Sequence, residues 1–282
     1  MTKENIKHKY VLINENFFEK SLANISISNR GFLYGDGIFE SCRVQNQQIF
    51  NFDLHWKRLS AGAKYLQLNL PEKQKIYQLA NHLINKNKVI NGLIKIHVSR
   101  DGESMGYLPL EKNKINLFFQ TRDLSAYPIN DKLIVCDVKA SIYKFKTLNS
   151  LPYILAKIFA NENNCLDSIM LDENNYICET SSANIFWIKD QKIYTPSSDL
   201  SIINGTIRQT LINMKELKII EGKFKINDLE TADEVFITNT NLLIFPISSI
   251  AFRNKKNFYI INYKKTLVKK VEKLLKIETK IS

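Results

Sequence analysis

The sequence predicts an α+β protein. Strand-type segments outnumber helical ones, and many of them are joined by short polar turns of the hairpin kind. Apolar residues make up 44% of the 282-residue chain, enough for a substantial core and too many for a disordered chain. Only 6 prolines and 9 glycines exclude a low-complexity or collagen-like chain. No internal repeat is visible.

Taken in order, residues 10–18 read as a first strand and its turn. Residues 28–37 form a loop punctuated by Gly31, Gly35 and Gly37. Residues 38–44 alternate as a strand, with residues 48–52 as partner. Asp53 can cap a helix running to about Leu66, with Leu54, Leu59, Ala63 and Leu66 near helical spacing. Pro71 opens a second helix that reaches about Asn85. Residues 93–99 and 115–121 are strands around an irregular loop.

Residues 123–130 hold Pro128 and no period, which places a linker at 123–131. It divides a smaller N-terminal α/β domain, 1–122, from a larger C-terminal domain, 132–282. In the second half, residues 133–138, 168–171, 176–178, 185–188, 192–194, 234–238 and 242–250 read as strands. Residues 151–162, with Pro152 in the first turn, 206–214 and 263–276 read as helices.

The formal charge of +12 admits nucleic acid, a membrane surface or an anionic ligand as partner. The lysines are spread through the chain rather than clustered, so solvated faces account for most of them and neither nucleic acid nor membrane is expected. A non-catalytic basic binding protein is the distant alternative; it has no recognisable binding motif. Cys42, Cys136, Cys165 and Cys178 form no Cys-x-x-Cys pair, which fits a reducing compartment. The polar residues 1–10 lack the apolar stretch of a signal peptide, and no apolar run reaches spanning length, so a cytoplasmic protein is expected.

Three patterns fail on inspection. Gly102-Glu103-Ser104-Met105-Gly106 matches a hydrolase elbow, but Pro109 follows where a helix should start and all four histidines precede the serine. Gly31, Gly35 and Gly37 lack dinucleotide spacing. The histidines and cysteines show no metal-ligand spacing, so no metal is expected.

Two residues carry more. Lys146 precedes the helix at 151, and Glu179 ends a strand before the turn Thr180-Ser181-Ser182. A lysine amine can condense with an aldehyde cofactor, and a carboxylate can hold a pyridine nitrogen protonated. The bland readings are a solvated surface amine for Lys146 and a cap on the following turn for Glu179.

Six segments, in order along nearly the whole chain, resemble the fold-type IV, or class IV, pyridoxal phosphate-dependent aminotransferase family. That family includes branched-chain and D-amino acid aminotransferases and aminodeoxychorismate lyase. Arg30-Gly31-Phe32-Leu33-Tyr34-Gly35-Asp36-Gly37-Ile38-Phe39-Glu40 is similar to its N-terminal signature, and His55-Trp56-Lys57-Arg58-Leu59 to the helix whose arginine reaches the cofactor phosphate. Lys146-Thr147-Leu148-Asn149 is similar to the Schiff-base segment, and Glu179-Thr180-Ser181-Ser182-Ala183-Asn184 to the pyridine-partner segment. Asn204-Gly205-Thr206-Ile207-Arg208 and Thr238-Asn239-Thr240-Asn241 resemble the two phosphate loops.

The resemblance implies a two-domain fold-type IV enzyme with a barrel-like C-terminal domain, pyridoxal 5'-phosphate as cofactor, and a homodimer with the site at the domain boundary. Lys146 and Glu179 would be catalytic. Arg58, Gly205, Thr206, Ile207 and Thr240 would hold the phosphate, Arg58 as a forked donor and the helix start through its amides. Tyr34, Phe39, Arg100 and Tyr107 would face the small-molecule substrate. Thr206 and Ile207 stand transposed relative to relatives, which leaves the amides in place and removes support for the hydroxyl contact.

Two reactions stay open. Transamination between an amino acid and a 2-keto acid is taken first, as the commoner activity on this fold. Met105 and Tyr107 stand where the D-amino acid type carries arginine and histidine, so a branched-chain-like donor is favoured. The branched-chain Tyr-x-Arg is itself missing from Gly92-Leu93-Ile94-Lys95. The alternative is 4-amino-4-deoxychorismate lyase, which residues 95–100, 184–187 and 204–209 resemble. Ser150 stands where lyases carry an arginine.

Overall fold

A computed structural model describes residues 7–102, 104–109, 114–141, 143–254 and 257–279. Residues 1–6 of the polar N-terminus and Glu103 of the elbow-like pentapeptide lie outside the described residues. The chain divides into two compact units, Met1–Ser125 with Phe145–Ser150, and Ala126–Lys144 with Leu151–Ser282.

The first unit runs β1 (Tyr10–Ile13), β2 (Asn16–Glu19), α1 (Arg30–Tyr34), β3 (Gly37–Gln45), β4 (Gln48–Ile49), α2 (Phe52–Tyr65), α3 (Lys73–Lys86), β5 (Gly92–Arg100), β6 (Ser104–Met105), β7 (Leu108–Pro109) and β8 (Ile115–Arg122). Six strands form one sheet in the order β2-β1-β8-β5-β3-β4, every pairing antiparallel. Alternation decides its faces. Ile38, Cys42, Val44, Ile94, Ile96, Val98 and Phe119 point into a core shared with Leu59 and Ala63 of α2 and Ile76, Leu79 and Leu83 of α3. Each large apolar side chain buried there contributes about 1.5–3 kcal/mol. Phe39, Ser41, Lys95 and His97 alternate onto the other face, Phe39 opposite His97 and Ser41 opposite Lys95.

Segment 145–150 joins this unit although it follows the first strand of the other. Phe39 N donates to Lys146 O (2.9 Å) and Leu148 N to Gly37 O (2.9 Å). A Cβ on Gly37 would lie 2.3 Å from Val98 O and 2.7 Å from Leu148 Cδ1, so the close approach requires glycine. Gly35, at φ +66°, ends α1 in the left-handed region and would otherwise meet the backbone of Asn149 at 3.1 Å.

The second unit runs β9 (Lys132–Lys139), α4 (Leu151–Glu162), β10 (Asp167–Leu171), β11 (Ile177–Thr180), β12 (Asn184–Lys189), β13 (Lys192–Pro196), α5 (Thr206–Asn213), β14 (Ile219–Gly222), α6 (Ile226–Glu230), β15 (Glu234–Asn239), β16 (Leu243–Ile247), β17 (Ser249–Asn254), β18 (Asn257–Asn262) and α7 (Thr266–Thr279). Two five-stranded sheets result, β11-β10-β9-β17-β18 and β14-β13-β12-β15-β16. Leu133, Ile169, Ile185, Trp187, Val235, Ile237, Phe245 and Ile250 from both sheets share one core. The mixed α+β class is as expected.

Some elements differ from the sequence reading. Residues 242–250, read as one strand, are two strands in different sheets. The chain switches at Ser248, whose N–H donates to Asp131 O (3.0 Å). Asp53 lies inside the first turn of α2, after Asn51. The short α1, β14 and α6, the β6–β7 pair inside the loop expected to be irregular, and the strand β18 are absent from the sequence reading; most have too few residues to show a period. Among the described residues, no helix is long and apolar enough to cross a membrane.

Candidate active site

In the second unit Glu179 lies near the end of β11, 3% exposed. Its Oε1 accepts the Tyr153 hydroxyl (3.1 Å), and its Oε2 accepts Ile203 N (3.0 Å) and Asn184 Nδ2 (3.2 Å). The turn after it is held by a different acid. Asp167, fully buried, accepts Thr180 Oγ1 (3.0 Å), Ser182 Oγ (2.6 Å), Ser181 N (3.2 Å) and Ser181 Oγ.

Asn184 links Glu179 to the start of α5. Its Nδ2 also donates to Ile203 O (2.8 Å), and its Oδ1 accepts Gly205 N (3.2 Å). A Cβ on residue 205 would sit 2.1 Å from that Oδ1, so the link exists only with glycine. Helix α5 begins without a side-chain cap, and Thr206, Ile207 and Arg208 are buried. First-turn amides have no partner within a helix, and the dipole places positive potential there. The Thr206 hydroxyl is buried with no hydrogen-bond partner, and so is that of Thr238, opposite Asn184 in the β12–β15 register. Thr240 sits two residues further, half-buried in the turn before β16. Arg208 is structural: it donates to Asn204 Oδ1 (3.0 Å) and Pro196 O (2.7 Å) and pairs with Glu221.

In the first unit Lys146 is half-buried, its Nζ 4.3 Å from the centroid of the Phe39 ring. His97 stacks on Phe39 at 5.8 Å. Burial, with Lys95 beside it, pulls the His97 imidazole down to about 4, so it is neutral at physiological pH. Behind Phe39, the fully buried Glu40 takes a two-pronged bond from Arg58 (Nε and Nη2, both 2.7 Å) and accepts His55 Nδ1 (2.7 Å). Burial alone would raise the Glu40 carboxyl; the charge and hydrogen bonds of Arg58, with His55, hold it at about 2. Burial, opposed by Glu40, keeps His55 below the ordinary imidazole value. Donor atoms of Glu40, Cys42 and His55 come within 4.8 Å of one another, which the sequence spacing did not show. The guanidinium already neutralises that carboxylate, which leaves a metal cation little charge to meet.

The substrate-side candidates separate. Phe39 lies against Lys146. Tyr34 and Tyr107 meet edge to face at 5.6 Å, Tyr107 86% exposed. Arg100 is buried, its Nε on Asp36 Oδ2 (2.9 Å) and its Nη2 on Leu66 O (2.5 Å); Arg30 shares the same Asp36 oxygen (2.8 Å).

The profile of the "Amino-transferase class IV" family matches residues 37–250. The chain belongs to the class IV aminotransferases. It is 31% identical over 252 residues to the D-alanine aminotransferase of Listeria monocytogenes serotype 1/2a (strain 10403S), covering 85% of this chain and 87% of that one. It is 29% identical over 250 residues to the aminodeoxychorismate lyase of Vibrio harveyi, covering 84% and 92%. Its fold is similar to that of the branched-chain amino acid aminotransferase from Escherichia coli, with a TM-score of 0.84 over 95% of this chain and 92% of that one at 21% identity.

For a class IV aminotransferase, this donor set fits a phosphorylated pyridine. An uncapped, buried helix start and two orphaned hydroxyls suit a phosphate dianion, and a buried carboxylate suits a pyridinium. Sequence reasoning missed Tyr153, Thr238, the Ile203 amide and the linking role of Asn184. Asn184 and Thr238 stood inside the quoted segments, but their pairing is set by strand register. Tyr153 had no signal beyond its place in the first turn of a helix.

Proposed function

We propose that this class IV enzyme is a pyridoxal phosphate-dependent aminotransferase that moves an amino group between a branched-chain-like amino acid and a 2-keto acid. The observation that carries the reading is the buried Glu179, which accepts from Tyr153, Asn184 and the Ile203 amide and is tied through Asn184 to the uncapped start of α5. Bound pyridoxal phosphate would supply a ring that takes up the charge left when the substrate loses its Cα proton. Glu179 would hold the proton on the ring nitrogen. Lys146 would bind the aldehyde carbon through its amine and, once released, carry the Cα proton as base and then acid. Amides of Gly205, Thr206 and Ile207 and the hydroxyls of Thr206, Thr238 and Thr240 would receive the phosphate, with Arg58, whose Nε and Nη2 are on Glu40, as a further donor. The aromatic surface of Phe39 and neutral His97 beside Lys146 supports an apolar substrate side chain.

The second reading is aminodeoxychorismate lyase, favoured by similarity to the Vibrio harveyi enzyme along 84% of the chain. One experiment separates the two. Holoenzyme is offered a panel of L- and D-amino acids with 2-oxoglutarate and, in parallel, aminodeoxychorismate. Glutamate formation from apolar amino acids is expected; 4-aminobenzoate release without transamination would overturn the reading. Borohydride reduction of the yellow holoenzyme should fix the label on Lys146, and mass spectrometry placing it on another lysine would defeat that assignment.

The same reading includes a cytoplasmic homodimer. Four free cysteines, three of them buried, suit a reducing compartment. Exposed apolar side chains in each unit, Leu22, Ile27 and Phe32 in the first and the outer face of α4 in the second, suit burial against another copy.

A further inference from the structure

We propose that Tyr153 is a positioning residue for Glu179: its hydroxyl, donated to Oε1, keeps the carboxylate aimed and ionised, so that a bound pyridine ring keeps its proton on nitrogen. The inference rests on the reading of Glu179 given above.

Tyr153 is the third residue of α4, after Pro152, whose fixed φ suits the helix start. Its ring packs against the cluster that includes Cys136, Ala156, Met170 and Cys178, which holds it in place. Its Oη lies 3.1 Å from Glu179 Oε1. Burial first, and then the charge of Glu179, push the phenol well above its ordinary value, so the hydroxyl stays protonated and acts as a donor. Oε2 accepts from the Ile203 amide and from Asn184. Tyr153 is a side-chain donor on the other oxygen.

The consequence concerns where one proton sits. A buried carboxylate beside a pyridine can share its proton in two ways, as carboxylate with pyridinium or as carboxylic acid with bare pyridine. Burial favours the neutral pair because it holds no separated charge. Each hydrogen bond donated to the carboxylate favours the charged pair, because a protonated acid accepts more weakly. Removing one such donor should therefore move the ratio toward the neutral pair by about tenfold, the size of one hydrogen bond to a charged group. No proton is lost or gained; it moves from nitrogen to oxygen.

The test uses holoenzyme loaded with pyridoxal phosphate labelled with 15N in the ring. The ring-nitrogen resonance reports the proton directly, since a protonated pyridine nitrogen resonates far upfield of a bare one. Wild type, Tyr153→Phe and Glu179→Gln are compared at one pH, with cofactor affinity and melting temperature measured on the same samples. Tyr153→Phe keeps the packed ring and removes only the hydroxyl. Its resonance is expected to move toward the bare-nitrogen position, with cofactor affinity close to wild type. If Tyr153→Phe matches wild type while Glu179→Gln is displaced, Tyr153 only packs and the inference fails. If Glu179→Gln also matches wild type, the ring-nitrogen role of Glu179 fails first.

Discussion

Glu179 stands where two roles compete, holding a ring nitrogen's proton or holding the turn that follows it. The turn has its own acid, because Asp167 accepts from Thr180, Ser181 and Ser182. Glu179→Gln should therefore cost little stability. The amide oxygen can take the place of Oε2 and accept from Ile203 N and Asn184, while the amide nitrogen faces the Tyr153 hydroxyl, which can also accept. What the amide cannot supply is the negative charge. We expect kcat to fall by roughly a hundredfold, about 3 kcal/mol of lost transition-state stabilisation, with melting temperature and cofactor affinity near wild type. Single-turnover rate and melting temperature on one preparation decide it: near-normal turnover with cofactor bound would end the electron-sink role. Lys146 and Glu179 were legible through the six ordered segments that resemble the class IV family; taken alone, each has a bland reading as a surface amine or a turn cap. It could not show the donors around Glu179, since Tyr153, Asn184 and Ile203 reach it from a helix, a strand and a loop.

At the scale of elements, β3 and α2 are joined by a buried ionic contact rather than by apolar packing alone. Glu40 comes from β3, His55 and Arg58 from α2. The alternation of β3 and the period of α2 were both legible, yet the pairing was not, because Glu40 sits on the core-facing side of a strand where an apolar residue is expected. What supports it there is the Arg58 guanidinium, with the His55 imidazole beside it. The Glu40 carboxyl is held at about 2 against an ordinary 4.5, burial being outweighed by Arg58 and His55. A depressed carboxyl stabilises the fold above its unfolded value and loses that contribution as pH falls from about 4.5 to about 2. The total is on the order of 3 kcal/mol. His55, also held below its ordinary value, acts in the same direction: the unfolded chain takes up its proton first as pH drops below 6.5. Urea denaturation of wild type should show stability falling through this acid range. Glu40→Gln should be less stable at pH 7, because Arg58 keeps its charge without the carboxylate, and its stability should vary less between pH 4.5 and 2. An unchanged slope in that window would refute the role of the contact.

For the whole molecule, the strands and helices with clear periods were readable, and the class followed from their proportions. Less readable was what long-range chain routing decides: that 145–150 packs on β3, where Gly37 makes room for it, and that 242–250 changes sheets at Ser248. The pattern of α4 bears on assembly. Its buried positions are Ala156 and Ala160, whereas Leu151, Ile154, Leu155 and Ile158 are 47–59% exposed. Those four stand at i, i+3, i+4 and i+7, one continuous apolar stripe on the outside of a helix whose inner face carries Ala156 and Ala160 with the rings of Tyr153 and Phe159. Under the proposed homodimer, this stripe is a surface that a second copy would cover. Light scattering of the holoenzyme should give twice the chain mass of 32.8 kDa. Leu155→Glu places a charge in the middle of the stripe and should shift the mass toward the monomer by at least tenfold in dissociation constant, since an unpaired charge is costly in an apolar contact. A wild-type mass near one chain would defeat the dimer, and a fully dimeric Leu155→Glu variant would remove α4 from its interface.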